Sequence, residues 1–251
     1  MDDALIEGKK VIKNTLFVVF LLALYSCGGG GSNGGGGVTT PASTPTDPNK
    51  LFSLSSSRQN ITLGTVYSTQ LTGSDSNGLT YTGTLAIANR AEEMQNGILV
   101  TPSDLILAFT DSNGLTITTT GTSFKDSSSN LISFSLQPLN LTCTPVTPGK
   151  IPSPVKIGDF GILSTLNCSD NTTRDGSWRV EDASNGNIFL IVNQTVKDQN
   201  QPNVIVSIAD VTLTLDGNGK YLAYKSVAQI LANNFTLTLQ STGTATGSAT
   251  T

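Results

Sequence analysis

Histidine is absent from the 251 residues, and charged side chains make up only 13% of the chain. The first absence removes Ser-His-Asp and related nucleophilic centres, because no imidazole is available as a base. It also leaves any metal site to carboxylates and thiols alone. The second removes the dense basic stripe that nucleic-acid binding requires: 14 Lys and Arg stand against 18 Asp and Glu, for a net charge of −4, and they are scattered. Tryptophan occurs once, as Trp178, and cysteine three times, at Cys27, Cys143 and Cys168, too few for a disulfide-dense scaffold. Apolar runs are short. The longest, TLFVVFLLALYS over 15–26, is well under the roughly 20 residues of a membrane-spanning helix.

What remains is rich in Ser, Thr, Asn and Gly, with Val, Ile, Leu and Thr in short runs. This composition predicts an all-β domain of the extracytoplasmic type.

The run over 15–26 follows Lys9, Lys10 and Lys13 and ends in small residues, the pattern of a secretory signal peptide. A buried core helix does not fit, because Cys27 and the nearly pure glycine of 28–37 follow at once. Leu24-Tyr25-Ser26-Cys27 resembles the lipobox of bacterial lipoproteins, in which Leu, two small residues and Cys mark the processing site. Tyr25 stands where a small residue is usual. The resemblance implies a thioether-linked diacylglycerol on Cys27, cleavage between Ser26 and Cys27, and acylation, typically by palmitate, of the new amino terminus. Three chains at about 0.8 kcal/mol per buried CH₂ would hold the protein on a bilayer almost irreversibly. Gly28, rather than Asp, follows the cysteine. By the same resemblance that points to the outer membrane of a Gram-negative envelope, with the cargo facing the periplasm or the cell surface. Asp2, Asp3 and Glu7 are unusual in a signal n-region. They motivate the hypothesis that translation starts at Val11, which a peptide from residues 1–10 in the unprocessed precursor would exclude.

Residues 28–37 read as flexible coil and 38–50 as an extended Thr/Pro spacer, about 25–30 Å together for 23 residues. No strand precedes the glycines and no Lys-Ser/Thr follows, so they are not a phosphate loop. The domain is expected over 51–251, 201 residues, enough for one real core. Strands are predicted near 61–72, 79–88, 98–109, 115–123, 131–142, 155–167, 176–182, 187–196, 203–215, 219–226 and 234–240. Trp178 and Val180 alternate with Arg179 and Glu181, and Phe235, Leu237 and Leu239 with Thr236, Thr238 and Gln240. Only Ala86–Asn96 and Ser226–Asn233 have helical composition. The fold expected is an antiparallel sandwich or barrel of about 10–11 short strands. The proline-rich stretch near 144–155 is a candidate sub-boundary. With Cys27 assigned to lipid, Cys143 and Cys168 form an even pair in an oxidising compartment and read as a disulfide, worth about 3 kcal/mol by loop closure. It would bridge that stretch and make both halves one folding unit.

Three turns carry Asp-x-Asn-Gly: 75–78, 111–114 and 216–219. Calcium loops place Asp and Asn at alternate positions before a glycine, but the further acids they need are replaced by Gly73 and Thr84, Phe109 and Thr120, and Thr214 and Lys225. Hairpin turns are the better reading. The first two turns belong to a repeated unit, DSNGLT at 75–80 and 111–116. Asp159, Asp170, Asp175, Glu181 and Asp182 could supply a carboxylate pair for glycoside cleavage, though most sit in turn contexts where Asp bonds local amides. Trp178 with Tyr67, Tyr81, Tyr221 and Tyr224 could stack a sugar, but an alternating tryptophan reads first as core. No cofactor or metal site is called for. The expectation is a lipid-anchored, non-catalytic binding, adhesive or structural protein of the envelope, contacting the membrane through its lipid and an envelope protein or surface glycan through its domain. A periplasmic assembly factor is the second class and a carboxylate hydrolase the third.

Overall fold

The computed structural model describes residues 44–54, 65–147, 149–242 and 246–249. The signal segment, Cys27, Ser26 and the linker to residue 43 lie outside the described residues. Alternating apolar and polar positions, punctuated by Asp/Asn/Gly turns, produce fifteen strands: β1 (Thr65–Asp75), β2 (Thr80–Asn89), β3 (Glu93–Gln95), β4 (Ile98–Asp111), β5 (Thr116–Lys125), β6 (Leu131–Gln137), β7 (Leu141–Thr147), β8 (Phe160–Ile162), β9 (Thr165–Cys168), β10 (Thr172–Ser184), β11 (Asn187–Asp198), β12 (Ile205–Leu215), β13 (Tyr221–Ile230), β14 (Phe235–Ser241) and β15 (Thr246–Ala249).

Twelve of them close a ring. β1, β2, β4, β5, β6, β7, β9, β10, β11, β12, β13 and β14 pair in that order, each antiparallel to the next, and β14 returns to β1. The fold is therefore the barrel of the two architectures expected. β3 extends the β4 hairpin, β8 lies beside β10, and β15 continues along β1. Closure removes the sheet edges that an open sandwich would have to protect.

Most inward positions are apolar and form one core cluster, with Leu71, Leu107, Phe134, Leu190, Leu213 and Leu237 among its members. Eight strands already make an interior that side chains just fill, so twelve need extra material. Phe52, Leu54, Ile151 and Val155 supply part of it from segments outside the ring. Outward positions on β2 are Thr80, Thr82 and Thr84; on β5 Thr116, Thr118 and Thr120; on β14 Thr236, Thr238 and Gln240. A membrane-spanning barrel carries the opposite arrangement, an apolar outer band around a polar lumen. No helix among the described residues is long and apolar enough to cross a membrane.

One rim, the lower, carries the β5–β6, β10–β11 and β12–β13 turns. The upper rim carries the β1–β2, β4–β5, β6–β7, β9–β10, β11–β12 and β13–β14 turns. Residues 44–54 bind along the lower rim. Thr44 and Asn185 exchange bonds (Thr44 N to Asn185 Oδ1 3.1 Å, Asn185 N to Thr44 O 2.7 Å). Thr46 donates its amide to the Asp182 carboxylate at 3.2 Å and its hydroxyl to Asn187 O at 3.0 Å. Phe52 pairs its backbone with Val155, and both side chains are fully buried. The spacer expected to run to residue 50 thus joins the domain from Thr44, because Thr46 and Phe52 find partners that composition cannot reveal.

Other element boundaries differ too. The strand expected over 131–142 is two, β6 and β7, hinged at Pro138 and at Asn140, whose φ is +49°. The strand expected over 155–167 is a loop followed by β8 and β9. Both stretches of helical composition are extended: Ala86–Asn89 completes β2, and Ser226–Ile230 completes β13 before a single 3₁₀ turn, Leu231–Asn233. A partner strand on each side outweighs their weak intrinsic preference. The proline-rich stretch after Cys143 contributes Ile151 and Val155 to the same core as the rest.

Candidate functional site

The wall is thinnest between β6 and β10. β6 and β7 share three register pairs, β7 and β9 four, and β9 and β10 two; β10 and β11 by contrast pair all the way from Thr172 with Asp198 to Ser184 with Asn187. The Cys143–Cys168 disulfide is formed within this seam, joining directly opposed residues of β7 and β9. β7 leaves the wall after Thr147, which pairs with Thr165. From there toward the lower rim, β8 has β10 on one side, and no described strand on the other.

The hydrogen-bond phase shows which groups face that open side. Val180 N donates to Asp159 O and Leu163 N to Gly176 O, both at 2.8 Å. Antiparallel bonding alternates along a strand, so the amides and carbonyls of Phe160 and Ile162 point away from β10. Their side chains share the outer face with Arg179 and Ser177, their register partners. Phe160 is 80% exposed and Ile162 68%. Gly161 between them takes the inward position, where a Cβ would come within 2.9 Å of Trp178 Nε1. Val146, on the bulge of β7, is 54% exposed, and Leu51, next to the Phe52–Val155 bridge, 62%. A shallow cleft of about 400 Å³ opens beside them, lined by Asn130, Leu131, Pro145, Val146, Gly149, Lys150 and Ser164. Lys150 is the one titratable group among these lining residues; the rest is apolar, amide or hydroxyl.

The five clustered acids go to separate places, each with local partners. Asp182 accepts the Thr46 and Ser184 amides, which hold its carboxyl below the ordinary range. Glu181 pairs with Arg179 at 2.7 Å on the outer face, as alternation predicts. Asp175 lies below its ordinary value because Lys197 Nζ, at 2.8 Å, and Thr165 Oγ1, at 2.9 Å, bond its carboxylate. Asp170 meets Arg174 at 3.1 Å, and Asp159 Oδ2 accepts the Lys156 amide at 2.9 Å. Arg174 is the residue that sequence reasoning missed. Its side chain is 1% exposed, although its inward parity with Trp178 and Val180 was there to be read.

The Asp-x-Asn-Gly segments are hairpin turns. Asp75, Asp111 and Asp216 each use Oδ1 to accept two backbone amides, two and four residues on, at 2.8–3.0 Å. Asp126 does the same with Ser128 and Asn130. The repeated unit recurs structurally: Ser76 N bonds to Thr236 O on the neighbouring strand and Ser112 N to Thr80 O, each at 2.8 Å. Trp178, Tyr81 and Tyr224 are buried in the core and Tyr221 packs against it, so these four form no exposed platform; the side chain of Tyr67 lies outside the described residues. Tyr81 stacks edge-on to Phe109 (5.4 Å, 88°) and donates to Asp75 Oδ2 at 2.6 Å. No protein-family model, curated protein or solved structure matches the chain, so the seam is judged on its geometry alone.

Proposed function

We propose that the chain is a lipid-anchored protein of the cell envelope whose barrel serves as a non-catalytic binding or structural module, contacting its partner through the β7–β8 seam. The observation that carries this reading is the exposed Phe160 and Ile162 side by side on a strand edge that no described strand covers. Isolated apolar side chains on a surface need no explanation, but a cluster with open backbone groups beside it is a contact site in waiting. The lipobox resemblance at Leu24–Cys27 supplies the anchor. The core-filled interior fits a module that acts through its surface. The second reading, an assembly factor that holds an envelope protein, is favoured by the same edge, which could accept an added strand.

Two measurements test the proposal. Mass spectrometry of the mature amino-terminal peptide is expected to show a triacylated Cys27, and Cys27→Ala to yield an unacylated, unanchored chain. Protease shaving of intact cells, with a periplasmic control that must stay uncut, then separates display at the surface from a periplasmic location. An unmodified Cys27 in the mature protein would overturn the anchor.

A further inference from the structure

We infer that the seam patch is a bilayer contact: Leu51, Val146, Phe160 and Ile162 rest on the lipid surface to which Cys27 is tied. This deepens the proposed function and rests on its lipid anchor.

Three observations select lipid as the occupant. The first is where the tether arrives. Sixteen residues separate Cys27 from Thr44, and at about 3.3–3.6 Å per residue their covalent length keeps Thr44 within about 60 Å of the anchored cysteine. Thr44 is fixed to Asn185 in the β10–β11 turn, on the lower rim and on the strand that carries β8. The patch therefore lies toward the end of the barrel from which the tether departs. The second is chemistry. An aromatic and three aliphatic side chains, outward and at least half exposed, are what a protein inserts among headgroups. The third is charge. Lys150, Lys156 and Arg179 beside the patch balance Asp126, Asp159 and Glu181, in a chain whose net charge is −4, so the patch brings no local excess of negative charge to an anionic lipid surface. The lone contact is weak, but tethering makes it intramolecular, and effective concentration turns weak affinity into stable seating. A peptide strand is the poorer occupant, since β8 offers the backbone groups of only Phe160 and Ile162 along its free edge.

The test uses the mature acylated chain in vesicles of phosphatidylethanolamine and phosphatidylglycerol, with the Cys27→Ser chain free in buffer as reference, read by amide hydrogen exchange. Amides over 146–151 and 158–163 are expected to exchange about tenfold or more slower on vesicles, with the upper-rim turns at 111–116 and 198–205 unchanged. The acylated double variant Phe160→Ser/Ile162→Ser, altered only at exposed positions, should still float with the vesicles but lose that slowing. Its unchanged upper-rim exchange serves as the check on folding. Equal exchange of the acylated wild type on vesicles and the reference in buffer would overturn the contact while leaving the anchor intact. A Cys27 without acyl mass would overturn both, and is seen before exchange begins. Slowing that appears in the Cys27→Ser chain at high protein concentration without vesicles would assign the patch to a second copy, and slowing that needs an added envelope extract would assign it to a protein; either result overturns the lipid contact.

Discussion

Arg174 carries a permanent charge to a position that is 1% exposed, where its guanidinium meets Asp170 Oδ2 at 3.1 Å with the Thr172 hydroxyl 3.5 Å away. Removing one partner of a fully buried pair costs about 3–5 kcal/mol. Asp170 is itself partly exposed, so solvent screens the pair and the cost shrinks. Asp170→Ala is expected to lower stability by about 1–3 kcal/mol in urea unfolding, and Arg174→Met by less, because the charge it leaves behind, on Asp170, is partly exposed and can be hydrated. Titration sets a second expectation. Asp126, Asp175 and Asp182 all have depressed carboxyl values in the folded chain, chiefly through hydrogen bonds from Asn130, Lys197 and Thr46 respectively. A depressed folded value stabilises above the unfolded value of 3.8 and is lost as pH falls below it. Tyr81 and Tyr224 are displaced upward, first by burial. Their contribution is complete below the unfolded value of 10.0 and fades above it. With no histidine to titrate between, thermal unfolding should show a plateau from about pH 5 to 9 with losses at both ends. A midpoint that moves by several degrees within that range would contradict this. At this scale the sequence was readable where alternation could be extended: Trp178 inward and Arg179 outward follow from it, and Arg174 follows from the same parity two steps earlier. Phe160 and Ile162 were not readable, because an apolar residue on either side of a glycine has the same pattern whether it faces core or solvent. The indole of Trp178 over Gly161 decides it.

Strands bend where the side chain is missing. A Cβ on Gly73 would collide with the Thr238 carbonyl and Leu239, and one on Gly83 with the Ala108 carbonyl and the Phe109 backbone. These two glycines let β1 and β2 approach their neighbours closely as the wall curves. Since the obstacle is backbone rather than a mobile side-chain tip, Gly83→Ala should cost more than about 3 kcal/mol and lower the melting temperature by roughly 6 °C or more for a domain of this size. The turns offer a gentler probe. Asp111→Ala removes the acceptor of two amides at 2.9 Å and is expected to cost about 1 kcal/mol by urea unfolding, with the same loss from Asp75→Ala augmented by the freed Tyr81 hydroxyl. Hairpins built on such turns were legible, since Asn-Gly between alternating runs has one common use. Ala86–Asn96 and Ser226–Asn233 were not: their alanines, glutamates, glutamines and arginine suit a helix in isolation, and only the strands on either side make them extended.

At the scale of the molecule, closure depends on the seam. β9 shares two register pairs with β10 and four with β7, and a covalent bond ties β7 to β9 within this run of short ladders. Cys143→Ser/Cys168→Ser is expected to lose about 3 kcal/mol, the loop-closure value for a separation of 25 residues, and hydrogen exchange should locate the loss in β7 and β9 before β11 and β12. Uniform loss across the barrel would show that the seam is not the weak line. An all-β fold with a bonded cysteine pair was visible in the composition and the turn spacing. Ring closure was not, because it rests on β14 returning to β1 and β10 meeting β11, and register between distant strands leaves no local mark.

The outward threonines of β2, β5 and β14 give the barrel a coat of hydroxyls in place of the usual mixture of acids and bases. A hydroxyl neither titrates nor is screened over the ordinary range of pH and salt, whereas charge repulsion is screened within about 10 Å at 0.1 M salt. Copies of the chain brought close together are therefore kept apart by hydration more than by like charge. Brine or an acid rinse that makes an ion-coated protein stick would leave this surface slippery.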